Sequence, residues 1–197
     1  MARDSILVTT TRVPQNRLEA LIRAHLSTTE DEGTARLTRE LRGARVRGYL
    51  TPSELEAVCR WKSPRAIRHI RANPPRQVRA WTRAALGTRD EARRLDALRS
   101  LKGVSVPMAS AVLTLLYPRR YGVIDIRVWQ VLHRSGSVER NARGVGLSSR
   151  NWHDFLELIR RFAAKLRVGA RDVERALFEA HRVSQKGRLY KRGRVRV

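Results

Sequence analysis

Apolar residues recur along this chain at the three- and four-residue spacing of one helix face. Leu18, Leu21, Ile22 and Leu26 mark a first helix, and Leu37, Leu41 and Val46 a second. Thr51-Pro52-Ser53-Glu54 reads as a capping box with proline at the first helical position, so a helix starts there and ends near Trp61. Ser63-Pro64 opens a helix carrying Ile67 and Ile70. Asn73-Pro74-Pro75 breaks it and begins another, with Val78, Trp81 and Leu86, closed by Gly87. Thr88-Arg89-Asp90-Glu91 reads as a second capping box, ahead of Leu95, Leu98 and Leu101. Trp152, Phe155, Leu156, Ile159 and Phe162 form the stripe of a long helix capped by Ser148 or Ser149. Val173, Leu177 and Ala180 mark the last helix. Ile6, Leu7 and Val8 suit a short extended segment, but no later stretch alternates. The pattern predicts an all-α fold of about ten helices.

Residues 134–147, with Gly136, Gly144 and Gly146, read as a loop. From Arg182 to Val197 the chain is rich in Arg and Lys and has no acid. The expected organisation is a compact helical unit over 1–181, one core or two intimate lobes, and a basic tail over 182–197. The tail residues Arg182, Lys186, Arg188, Lys191, Arg192, Arg194 and Arg196 are expected to touch a phosphate backbone.

Charge narrows the function. The chain has 42 Lys+Arg against 18 Asp+Glu, a formal net charge of +24. Such self-repulsion is relieved by a polyanion, and double-stranded DNA is the expected partner. A ribosome-associated or merely basic protein would share the composition. Cys59 is the only cysteine, which excludes an internal disulfide and a four-cysteine zinc or iron–sulfur site. No stretch approaches the ~18 apolar residues of a membrane span. The start Met-Ala-Arg-Asp-Ser carries no signal-peptide run. A monomer in the cytoplasm, associated with the nucleoid, is expected.

The chemistry concentrates in two segments. In Leu101-Lys102-Gly103-Val104-Ser105-Val106-Pro107-Met108-Ala109-Ser110-Ala111-Val112-Leu113 one helix ends, a tight turn holds Gly103, and a new helix starts near Ser105. The free N–H groups and dipole of that new helix suit a DNA phosphate, met directly or through a cation. Lys102, Gly103, Val104 and Ser105 are the candidate phosphate-binding residues. Ala109, Ser110 and Ala111 are small enough for close helix packing. The second segment is Tyr121-Gly122-Val123-Ile124-Asp125-Ile126-Arg127-Val128-Trp129. Asp125 there stands just before a helix, where a cap is the ordinary role of aspartate.

Together the segments resemble the helix-hairpin-helix glycosylase superfamily, which includes endonuclease III, adenine glycosylase and the alkyladenine and oxoguanine enzymes. In that family a Leu-Pro-Gly-Val-Gly hairpin is followed, at a fixed interval, by Val-Asp-Thr-His or a variant. The place of endonuclease III's nucleophilic lysine falls on Pro107. Eighteen positions separate Pro107 from Asp125, as the family spacing requires. The resemblance is clearest from Arg93 to His133, with the hairpin over 93–116 and the catalytic segment over 121–133, and weaker from Trp61. This chain departs from the pattern at Ser105, which replaces the second hairpin glycine. It departs again at Pro107, which has no amine, and at Arg127, where endonuclease III has histidine. It also lacks the cluster cysteines.

The resemblance implies a two-lobed fold, base flipping, and excision of a damaged or modified base without an iron–sulfur cluster. Asp125 would be the carboxylate that stabilises the cationic sugar. The one metal expected is a Na+ or K+ ion at the hairpin carbonyls, with no side-chain metal site. Arg60-Trp61-Lys62-Ser63-Pro64-Arg65 aligns loosely with the DNA-inserting wedge. Arg60 and Trp61 are wedge candidates there, and Tyr121, Arg127 and Trp129 pocket candidates; core packing suits the aromatic residues as well. Lys62, one of five lysines, is a candidate displaced nucleophile. Three functions stay open: a monofunctional glycosylase, a glycosylase with lyase activity through Lys62, and a non-catalytic hairpin DNA binder.

Overall fold

The computed structural model describes residues 12–185, and every regular element among them is helical. The Ile6–Val8 expectation and the tail candidates Lys186, Arg188, Lys191, Arg192, Arg194 and Arg196 lie outside the described residues. The helices are α1 (Arg12–His25), α2 (Glu32–Glu40), α3 (Arg42–Arg47), α4 (Pro52–Lys62), α5 (Ile67–Arg71), α6 (Pro75–Gly87), α7 (Glu91–Arg99), α8 (Val106–Leu116), α9 (Ile126–Arg134), α10 (Ser149–Leu166) and α11 (Ala170–Ser184). A 3₁₀ turn, Pro64–Ala66, leads into α5. No helix among the described residues is long and apolar enough to cross a membrane.

Local chemistry explains the boundaries. Thr51 and Glu54 make a reciprocal capping box at the start of α4, and Ser148 with Asn151 does the same for α10. The second box expected at Thr88 is not formed. Asp90 is the cap instead, its Oδ1 accepting from Ala92 N at 2.8 Å and Arg93 N at 3.1 Å. A carboxylate one residue from the helix reaches those donors more directly, and Glu91 is left free for other partners.

The single helix expected over Leu37–Val46 is two, bent at Leu41. Leu41 and Ala44 point into the core, and a residue two beyond Ala44 lies on the far side of a helix, so Val46 is 90% exposed. Trp81 is likewise 40% exposed, because α6 turns Val78, Thr82 and Ala85 inward. Arg182 sits in the last turn of α11 and pairs with Glu179 at 2.7 Å, so the expected tail boundary falls inside a helix.

α8 is the most apolar helix and is buried along almost its whole length. α2, α3, α4 and α7 pack on it, while α1, α9 and α10 pack on α11. Both groups share one hydrophobic core. The segment 117–125 links them. Its register against α8 is fixed by Ser110, whose hydroxyl donates to Pro107 O at 2.8 Å and accepts from Ile124 N at 3.1 Å. Gly122 lets the segment lie against α11, since a Cβ there would meet Glu174 Cβ at 2.6 Å.

Candidate functional site

The turn between α7 and α8 is built by three residues. Gly103 takes φ +81°, and a Cβ on it would lie 2.8 Å from His69 Cβ. Asn73, buried at the α5–α6 corner, grips the turn from both sides: its Oδ1 accepts from Lys102 N at 2.8 Å and its Nδ2 donates to Lys102 O at 2.9 Å. Ser105 caps α8, accepting from Met108 N. Pro107 lies in the first turn of α8, where a missing N–H breaks no helical bond. Lys102 and Ser105 are exposed, Gly103 is half-buried, and Val104 packs inward. Of the turn carbonyls, Leu101 O already accepts from Val104 N and Lys102 O from Asn73.

Asp125 has two partners at once. Its Oδ1 caps α9 by accepting from Val128 N at 3.0 Å. Its Oδ2 accepts from Lys62 Nζ at 3.3 Å. Lys62 reaches it from the C-terminal end of α4, and both side chains keep about a fifth of their surface. The two residues border two depressions. One is a cavity of about 670 Å³ lined by Trp61, Lys62, Asp125, Arg171, Glu174 and Phe178 among others. The other is a recess of about 280 Å³ between Lys62, Asp125, the hairpin turn and residues 144–147.

Charged side chains from α11 and the α1–α2 loop build the cavity wall. Glu30 accepts from Arg171 Nε at 2.8 Å and pairs with Arg175 Nε at 3.3 Å. Arg171 also donates to Glu174. Burial opposes the charge on Arg171, but Glu174 and Glu30 outweigh it and hold the guanidinium protonated. Burial pushes the Glu174 carboxyl above the usual carboxylate range, and Asp125 adds to that, while Arg171 and Lys62 pull the other way. Glu30, Arg171 and Glu174 carry no motif. The available signal was the stripe of α11: Glu174 and His181 fall on its apolar face, beside Val173 and Leu177.

The remaining candidates separate. Trp61 is cavity wall and not a projecting wedge: its Nε1 donates to Thr34 Oγ1 at 2.7 Å and the Arg171 guanidinium covers its ring at 5.4 Å. Arg60 is exposed and pairs with Glu56 at 3.4 Å. Tyr121 and Trp129 line neither depression. Tyr121 is buried, stacks on Trp152 and shares its hydroxyl with Glu91 and Arg94. Trp129 is fully buried and donates to Asn141 O at 3.0 Å, tying α9 to the following loop. Both large rings are drawn into the core because their polar atoms find partners there. Arg127 turns towards α11, donating to Gln185 and lying 5.4 Å over the Phe178 ring. Cys59 is buried, its thiol facing Ser63 O, and burial pushes its pKa up.

No family model, curated protein or solved structure matches the chain. The family resemblance therefore rests on the motif residues alone.

Proposed function

We propose that the protein is a helix-hairpin-helix DNA glycosylase that hydrolyses the N-glycosidic bond of a damaged or modified base. The observation that carries this reading is the position of Asp125, at the junction of the cavity and the recess beside the hairpin turn. A duplex gripped through a backbone phosphate at the start of α8 would bring a flipped nucleotide to that junction. The base would enter the cavity, whose volume lies within the roughly 300–1,000 Å³ of ligand pockets. The two helix groups around α8 and α11 support the two-lobed architecture that the motif implies.

In this reading the C1′–N bond breaks with its electron pair going to the base, and the carboxylate of Asp125 stabilises the cationic sugar. Water then adds to C1′ and gives a proton to Asp125. A monovalent cation at the hairpin would have to share Leu101 O and Lys102 O with protein donors. The partner is duplex DNA, held largely by charge.

A second reading is favoured by one contact, Lys62 Nζ at 3.3 Å from Asp125. Once its proton passes to Asp125, the Lys62 amine could attack C1′ and displace the base. The glycosylamine so formed would lose a proton from nitrogen to solvent and open its C1′–O4′ bond, with O4′ taking up a proton, to give an imine that permits strand cleavage.

Asp125→Asn keeps the cap and removes the charge. Base release should fall about 10²-fold or more while DNA binding persists or tightens. Unchanged release would overturn the role given to Asp125, and no release by the wild-type protein would overturn the glycosylase reading. Borohydride trapping separates its two forms. An adduct with wild-type protein that is lost in Lys62→Ala selects the second, and base release without an adduct selects the first.

A further inference from the structure

The side chain of Glu174 is 3% exposed, yet it lines the cavity. Its Oε2 accepts from Arg171. Its Oε1 has no hydrogen bond among the described residues. Those residues hold two side-chain polar atoms that are both sealed and without a hydrogen bond, Trp152 Nε1 and Arg175 Nη1. Glu174 Oε1 is neither, so it opens on the cavity. Glu30 meets the same guanidinium at 2.8 and 3.3 Å and is shared with Arg175, so Arg171 does not depend on Glu174 alone. A buried carboxyl with one oxygen unused, beneath the Asp125–Lys62 pair, is placed for a ligand.

We propose that Glu174 is a catalytic residue that gives a proton to the departing base. The proposal rests on the glycosylase reading. As the C1′–N bond breaks, its electron pair stays with the base and the Glu174 carboxyl proton moves to a base nitrogen or oxygen. Glu174 is left as a carboxylate against Arg171. The water that adds to C1′ leaves its proton on Asp125, which releases it to solvent while solvent reprotonates Glu174, so both carboxyls are reset before the next turnover. The sum is water and nucleotide in, protonated base and a sugar hydroxyl out.

The charged groups facing Glu174 are Arg171 on its own helix, Asp125 at the start of α9, Lys62 at the end of α4, and Glu30 through Arg171. Gly122 and Ile159, packed nearby, bring no charge. Burial and Asp125 favour the protonated form.

The test compares leaving bases. Duplexes carrying uracil, hypoxanthine or 8-oxoguanine have neutral bases that gain from protonation, whereas N7-methylguanine is already cationic. Single-turnover release by wild type, Glu174→Gln and Glu174→Asp is measured across pH. In Glu174→Gln, release of a neutral base should fall about 10²-fold, and release of N7-methylguanine by less than about 5-fold. In wild type alone, neutral-base release should decline on the alkaline side while N7-methylguanine release stays flat, a readout that needs no variant to fold. Equal losses on both classes, no loss, parallel pH profiles, or release of N7-methylguanine only would each overturn the Glu174 assignment and leave the glycosylase reading standing. Release of none of these bases by wild type would overturn both.

Discussion

Two clusters of charge flank the short segment from Tyr121 to Asp125, and they are built to opposite ends. At its start, Glu91 meets Arg94 at 2.9 Å, Arg160 at 2.7 Å and the Tyr121 hydroxyl at 2.9 Å. Arg94 also donates to Ala85 O and Thr88 O. Burial raises the Glu91 carboxyl, but Arg160, Tyr121 and Arg94 outweigh it and hold it low. Burial, with Glu91 beside it, pushes the Tyr121 hydroxyl up. Every member has its partners, and this cluster is a joint between α7, α10 and the core. At the segment's other end, Glu30, Arg171, Glu174, Asp125 and Lys62 surround a cavity, and one carboxylate oxygen stays unused. In a chain with so many charges, their presence identifies nothing. The unused hydrogen-bonding capacity does.

That contrast can be broken by mutation. Arg94→Met takes the donor from Ala85 O and Thr88 O and leaves Glu91 with Arg160 and the Tyr121 hydroxyl, and should cost about 3–5 kcal/mol in urea unfolding. Base release per folded molecule should not change; a specific loss of activity would erase the distinction between the clusters. Gly122→Ala pushes a methyl group into Glu174 Cβ and should cost about 1–3 kcal/mol. Because the displaced residue is Glu174, release of neutral bases should also fall by more than the folded fraction predicts. Lys62→Met removes a pair whose side chains keep about a fifth of their surface, and since Asp125 retains its bond from Val128 N, stability should shift by no more than about 1–2 kcal/mol. A larger loss would make Lys62 part of the scaffold.

The smallest signal is a slope with pH. Glu174 has a folded pKa above its unfolded one, so the native state holds that proton more tightly. Its contribution is full at acid pH and is lost as pH rises from the unfolded value through the raised folded one. Glu91 is lowered on folding, so its contribution is present above the unfolded value and lost as pH falls through the depressed one. Urea unfolding of Glu174→Gln and Glu91→Gln from acid to neutral pH should therefore remove slopes of opposite sign. Slopes of the same sign would contradict the different environments described for the two carboxyls.

The helices were readable because each needs a buried stripe and a start signal that lie close together in sequence. The box at Thr51, the cap at Ser105 and the position of Asp125 before α9 are local in that sense. What failed was also local: Thr88 and Asp90 offer competing caps two residues apart, and only the geometry of the turn chooses. The candidate site was half legible. Asp125 and the hairpin come from one stretch of chain with its own spacing. Lys62 lies on another helix, brought to Asp125 by the packing of α4 on α8, and no periodicity encodes that contact. Glu174 could have been noticed as an acid on an apolar face, but which cavity it borders depends on three helices folding together.

Asn73 gives the hairpin a dependence of its own. It bonds the N–H and C=O of Lys102 as a neighbouring strand would, from 29 residues upstream. The turn is thus moulded by chain that is not part of it. A peptide cut to 91–116 would lose that mould, and a hairpin grafted onto another scaffold would need the α5–α6 corner carried along. The motif is portable as a string of letters and not as an object.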